Sequence, residues 1–109
     1  MDMNKSMVVG YLSKDVKLET SKQGQPMLRM IILTHHHVKG GNEYTESIKA
    51  ACFGPLAQHH AKLGYLVKGN PITVWGHLHT YPKINQDGSK GSDMWLIIDS
   101  LSVDKPKSN

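Results

Sequence analysis

An all-β fold of five bent strands, with a single helix between the third and fourth, is the class this sequence predicts. Three observations carry it. Apolar and polar residues alternate in most of the apolar stretches, as they do when one face of a strand meets a core and the other meets water. One stretch, after Gly54-Pro55, changes to helical spacing. Clusters of Gly, Pro, Asn and Asp punctuate the chain between these stretches.

From Asn4 to Thr20, two short apolar runs around Gly10 predict a long first strand with a bulge at the glycine, where side-chain bulk is missing. Lys22 to Pro26 reads as a turn. The second strand, MLRMIILT, sets Met27, Ile31 and Leu33 against Leu28, Met30 and Ile32, so both of its faces are expected to be covered. Three consecutive histidines lead into a Gly40-Gly41-Asn42 hairpin loop that carries Lys39. In the third strand, Tyr44 to Phe53, Ile48, Ala50 and Cys52 alternate with Ser47, Lys49, Ala51 and Phe53. Pro55 suits a first helical turn, where its missing N–H costs nothing. Leu56, His60, Leu63 and Val67 then recur at helical spacing up to Lys68-Gly69, with His60 on the buried side. The fourth strand opens at Pro71 and alternates Ile72, Val74, Gly76 and Leu78 with Thr73, Trp75, His77, His79 and Tyr81. Asp87-Gly88 signals a hairpin into the last strand, MWLIIDSLSV, with Lys83 and Lys90 near the turn. A barrel domain over residues 1–104 and a short polar tail over 105–109 follow from this layout.

At 109 residues the chain fits one domain, able to bury a modest core without disulfides or metal. A formal charge of +4 and a pI near 9.2 favour an anionic partner without naming one. The single cysteine, Cys52, shares its face with Ile48 and Ala50 and reads as an inert buried thiol, compatible with a reducing compartment. No apolar run reaches the ~20 residues that span a bilayer, and MDMNKS lacks the layout of a signal peptide. A cytoplasmic, nucleoid-associated protein without membrane contact is expected.

Five bent strands with one helix in that position outline an oligonucleotide-binding (OB) barrel, a partly open Greek-key architecture. The residues then resemble a family. The opening MNKSMVVGYLSKDVKLE, LRMIILT, TESIKAACFGPLAQHHAKLGYLVKGNPITVWGHLHT and NQDGSK together cover nearly all of Met3 to Val103, and they are similar to the bacterial single-stranded DNA-binding protein family. The resemblance implies sequence-tolerant binding of single strands, in which cations track phosphates and aromatic faces stack on bases. By position it implies stacking at Phe53 and basic contacts at or beside Lys5, Lys39, Lys49 and Lys68, with Lys83 and Lys90 near the last hairpin added to the phosphate track.

Departures from the family pattern shape the expectation. Val38, Ser47 and Lys83 stand where the family has tryptophans, so affinity is expected to lean on charge, with Tyr81 and His79 restoring part of the stacking. The family's acidic-tipped recruiting tail has no counterpart after the basic KPK run, so partners that use it are not expected. The resemblance also implies a homo-oligomer, a tetramer first and a dimer second, through the outer face of Thr73, Trp75 and His77. A dimeric relative, the primosomal replication protein branch, is the alternative within the same class; an OB-fold adaptor for another protein is the alternative outside it.

Individual residues keep bland readings beside these. Phe53 can instead close the core, Trp75 suits interface, stacking or packing, Trp95 reads first as packing, and Tyr44 fits packing and stacking equally. His35 and His37 alone among the three histidines could converge on an ion, and no cysteine or carboxylate lies close in sequence, so no metal site is assigned. No phosphate-cradling Gly-rich loop opens the helix and no HExxH-like pair occurs, so catalytic residues and cofactors are not assigned and a binding protein is expected.

Overall fold

In the computed structural model, which describes residues 2–106, the first strand is two pieces, β1 (Ser6–Leu12) and β2 (Leu18–Thr20). β3 (Pro26–His37), β4 (Glu43–Phe53), helix α1 (Pro55–Leu63), β5 (Pro71–Ile84) and β6 (Lys90–Val103) follow. The sheet order β1-β5-β6-β4-β3-β2 closes on itself through Tyr11↔Leu33 and Leu12↔Ile32, and β4 meets β6 in parallel. With β1 and β2 counted as one bent strand, this is the five-stranded OB barrel with its helix between the third and fourth strands. The expected tail beyond Pro106 lies outside the described residues.

The core follows the alternation. Leu12, Leu28, Met30, Ile32, Ala50, Cys52, Ile72, Val74, Leu96 and Ile98 are buried against Ala57 of the helix and Leu66 beyond it. Only one face of β3 belongs to this core. Met27, Ile31 and Leu33 on the other face stay partly exposed; the loop between β1 and β2 lies beside Ile31, and β1 lies beside Leu33. Cys52 is fully buried, and burial pushes its thiol up to about 11, which leaves it inert at neutral pH.

Two expectations need correcting. Gly10 is no bulge: β1 stays in register with β5 through Gly10↔Ile72, and the chain breaks later, at the loop over 13–17. The missing side chain serves close approach instead, since a Cβ there would lie 2.3 Å from the Leu33 carbonyl oxygen. The bulge lies between β5 and β6, where Trp75 pairs with Ser100 but Gly76 pairs with Ile98, leaving Asp99 unmatched. The helix also ends sooner than its periodicity predicts, at Leu63, where Gly64 turns left-handed (φ 70°) and stops it. Leu66, rather than Val67, then enters the core.

All three hairpin loops close alike. The N–H of Ser21, Val38 and Asn85 donates to the carbonyl of Gln25, Asn42 and Ser89, with Gly24, Gly41 and Gly88 at positive φ before the second strand. In the last hairpin the Asp87 carboxylate also accepts from the Ser89 N–H (2.9 Å) and hydroxyl (2.6 Å). Beyond Leu78, β5 and β6 leave the barrel as an exposed two-stranded arm. The radius of gyration, 15.5 Å, exceeds the roughly 13 Å of a compact chain of this length for that reason.

His60 faces inward on the helix, and its Nδ1 is buried without a hydrogen-bond partner. Burial, helped by neighbouring His59, holds its imidazole below the ordinary value of 6.5. The unfolded chain therefore takes a proton that the folded chain resists. The stability His60 contributes is whole above about pH 6.5 and declines as the pH falls from there. His60→Leu is expected to flatten the fall in melting temperature between about pH 7 and pH 5; identical profiles for the two proteins would contradict this. The depressed carboxyls of Glu19, Asp87 and Asp93 lose their contribution only as the pH falls through their ordinary values of 4.5 and 3.8, so they add little above about pH 5 and do not mask it.

Candidate nucleic-acid interface

Because the even positions of β3, β4 and β6 fill the core, the odd positions share one outer surface. Ala51 pairs with Arg29 on one side and Ile97 on the other, and that register sets Lys49 beside Trp95. The Lys49 ammonium sits over the indole, 5.3 Å from its centroid. Phe53 lies on the same face of β4, half-buried and four residues on, about 13 Å along the strand. It is Cys52, not Phe53, that closes the core at this end.

Across β6 the surface runs onto the arm. Tyr81 pairs with Asp93 and His79 with Trp95, and the His79 and Tyr81 rings meet edge-on at 4.5 Å. Lys83 reaches back to Asp93, whose Oδ1 accepts from the ammonium groups of both Lys49 and Lys83 at 3.1 Å. Hydrogen bonds from Lys49 and then Lys83 hold the Asp93 carboxyl below the usual carboxylate range.

On the other side, the loop between β1 and β2 forms a rim. Val16 packs on the core, and the loop is tied down by Ser13 N–H to the Ile31 carbonyl (3.0 Å) and Val16 N–H to the Leu66 carbonyl (3.0 Å). Lys14, Asp15 and Lys17 are thereby fixed beside Glu19, Arg29, Lys49 and Trp95, around an open groove of about 560 Å³. Glu19 holds Arg29 by two hydrogen bonds, from Nε at 2.8 Å and from Nη2 at 2.7 Å. These bonds keep the Glu19 carboxyl below its ordinary range.

The predicted residues thus divide. Lys49, Phe53, His79, Tyr81 and Lys83 share one face. Lys68 stands behind the rim, in a turn whose N–H the Asp15 carboxylate accepts at 2.8 Å. Lys39 is exposed at the tip of the β3–β4 hairpin, and Lys5 precedes β1, on the far side of β5 from Trp95. Lys90 pairs with Ile84 and so projects from the opposite face of the arm to Lys83. Arg29, Lys14 and Lys17 were not singled out by sequence, and Trp95 was read first as packing. The signal for Arg29 was present: it shares the parity of Met27 and Ile31, the face that turns out to be open.

Thr73 and Trp75 continue the outer side of β5 away from the groove, past His77, which pairs with Ile97 at the border of the Lys49 face. They face outward on β5 beside β1, where Met7 pairs with Trp75 and Val9 with Thr73, and the His77 Nδ1 lies 3.3 Å from the Asp99 carboxylate. Met7, Val9 and Trp75 are 58%, 61% and 40% exposed, an apolar patch unusual for a free surface. The three consecutive histidines are held apart: His35 by Tyr11 and Thr45, His36 by Thr34 and the stacked ring of Tyr44, His37 by Glu43. Among the described residues no group of three or more His, Cys, Asp or Glu could hold a metal ion, and no helix is long and apolar enough to cross a membrane.

Fold and face together define the class: an oligonucleotide-binding barrel with an open outer groove where cations alternate with aromatic rings. The Single-strand binding protein family model matches residues 3–104, and the chain belongs to that family. A solved structure described as "Plasmodium falciparum SSB complex with ssDNA" is similar over 94% of this chain and 94% of its own, with a TM-score of 0.79 at 16% identity, a likeness of fold. No curated protein sequence matches the chain.

Proposed function

We propose that the groove and the adjoining arm bind single-stranded DNA without sequence selection, protecting it during replication, recombination or repair on the nucleoid. The observation that carries this reading is Lys49 seated over Trp95, on one curved face with Arg29, Phe53 and Tyr81. Ammonium and guanidinium groups neutralise phosphates, and ring faces accept any base, so the combination grips a flexible single strand better than a duplex whose bases are stacked inward. The chemistry is binding, not catalysis. Titration of labelled oligo-dT, duplex DNA and single-stranded RNA over a salt series tests it. Affinity for oligo-dT is expected to exceed that for duplex and to fall log-linearly with salt; a flat, weak response would leave a protein-adaptor barrel in its place.

We also propose that the chain works as a homo-oligomer through the apolar Met7, Val9 and Trp75 patch. β1 supports this as well, because it pairs with β3 only at Tyr11 and Leu12 and leaves the edge over 6–10 free on that side, a template for a second copy. Trp75→Lys is expected to reduce the mass seen by light scattering, from a tetramer or dimer toward the 12.1 kDa monomer. An unchanged mass would place the interface elsewhere.

A further inference from the structure

Three cations of the groove face, Arg29, Lys49 and Lys83, are already partnered before any polyanion arrives. Asp93 stands on β6, between β4 and β5, and one of its oxygens takes both the Lys49 and the Lys83 ammonium groups at 3.1 Å. Glu19 grips Arg29 through two parallel N–H···O bonds, the same fork that a guanidinium offers to a phosphate. We propose that Asp93 and Glu19 are built-in phosphate competitors, occupying Lys49, Lys83 and Arg29 and holding the affinity of the face for a single strand below what those three cations would otherwise give.

The inference rests on the reading that this face binds single-stranded DNA. Fold stability does not explain the pairs. The side chains of Arg29, Glu19, Lys49, Asp93 and Lys83 are between 34% and 54% exposed, and solvent screens ion pairs this open so that they add little to stability. Binding responds to them more strongly, because counterion release depends on the net positive charge presented to the phosphates. Two ammonium groups around one carboxylate present one unit of charge, and the Arg29–Glu19 pair presents none. Both carboxyls are held below the usual carboxylate range by the hydrogen bonds they accept, so both are charged at neutral pH. An incoming strand exchanges phosphate oxygens for carboxylate oxygens at cations that already sit in place. The same exchange run backwards helps the strand leave.

Each freed cation steepens the log–log salt slope by about 0.7 for a single strand, equivalent to about 5-fold in affinity at 0.1 M salt relative to 1 M. Asp93→Asn and Glu19→Gln, which keep side-chain shape, are each expected to bind oligo-dT about 5-fold more tightly than wild type at 0.1 M salt, and the double variant about 25-fold, with all curves converging near 1 M. Asp93→Ser serves as a second replacement, and thermal melts check that each variant is folded. Asp104→Asn changes net charge equally just past the far end of β6 and is expected to stay within about 2-fold of wild type, since charges beyond a Debye length are screened. Folded Asp93 and Glu19 variants that bind no better than wild type would overturn the inference and leave the function standing; the carboxylates would then be positioning the cations. An equal gain from Asp104→Asn would overturn it too, in favour of net charge alone. Wild-type protein without salt-sensitive affinity for oligo-dT would overturn the functional reading, and the inference with it.

Discussion

Gly76→Ala is expected to lower the melting temperature by ~15 °C or to prevent folding altogether. A Cβ at this position would lie 1.9 Å from the Ile97 carbonyl oxygen and 2.8 Å from its carbonyl carbon. Both obstacles are backbone. They belong to the bulge where β6 accommodates the unmatched Asp99, so relieving the overlap means pushing β6 off β5 at the exit of the barrel. Overpacking against atoms that cannot rotate away costs roughly 3 kcal/mol or more, and each kcal/mol moves the midpoint of a domain this size by about 4–8 °C. Gly91→Ala is the control on the partner strand of the same arm. There the nearest atoms are those of the Asn85 side chain, from 3.1 Å, which can swing aside, and the expected loss is under about 0.5 kcal/mol. Similar melts for the two variants would mean that the bulge is not the constraint described.

Lys49→Ala and Trp95→Ala should weaken single-strand binding in two distinguishable ways. Removing Lys49 leaves Lys83 paired with Asp93 and takes one net charge from the face, so the salt slope flattens by about 0.7 and affinity falls about 5-fold at 0.1 M salt. Removing a stacking ring costs about 1–3 kcal/mol at every salt concentration and leaves the slope nearly unchanged. Phe53→Ala should behave like Trp95→Ala, since both rings lie on the Lys49 face. Equal salt slopes for lysine and aromatic variants would contradict this division of roles. If only Trp95 matters, the face is narrower than proposed and ends at the groove.

Much of the barrel was legible because period-two alternation records which side of a strand is wet. Ile72, Val74 and Gly76 against Thr73, Trp75 and His77 is a case in which the pattern and the burial agree. Elsewhere the pattern misled for physical reasons. Val67 continues the helical period of Leu56, His60 and Leu63, yet Gly64 ends the helix first, because a left-handed residue caps it at lower cost than another turn would carry. Met94 shares the parity of Leu96 and Ile98 but is 57% exposed, since the strand has already left the barrel. Beyond Asp99 the parity reverses, and Leu101 and Val103 pack against the core; a bulge is invisible to alternation until its partner strand is known.

Residue by residue, the chain by itself determined its strands, their inward sides, the single helix and the residue types able to meet a polyanion, all of which are local properties of spacing. Which of those residues stand together was decided only by the closed sheet. Parallel pairing of β4 with β6 sets Lys49 over Trp95, and the β5–β6 register brings Lys83 to the same carboxylate, Asp93, while Lys5, Lys39, Lys68 and Lys90 fall elsewhere. Strand pairing between residues more than forty positions apart leaves no trace in local periodicity, because each strand alternates identically whichever neighbour it finds.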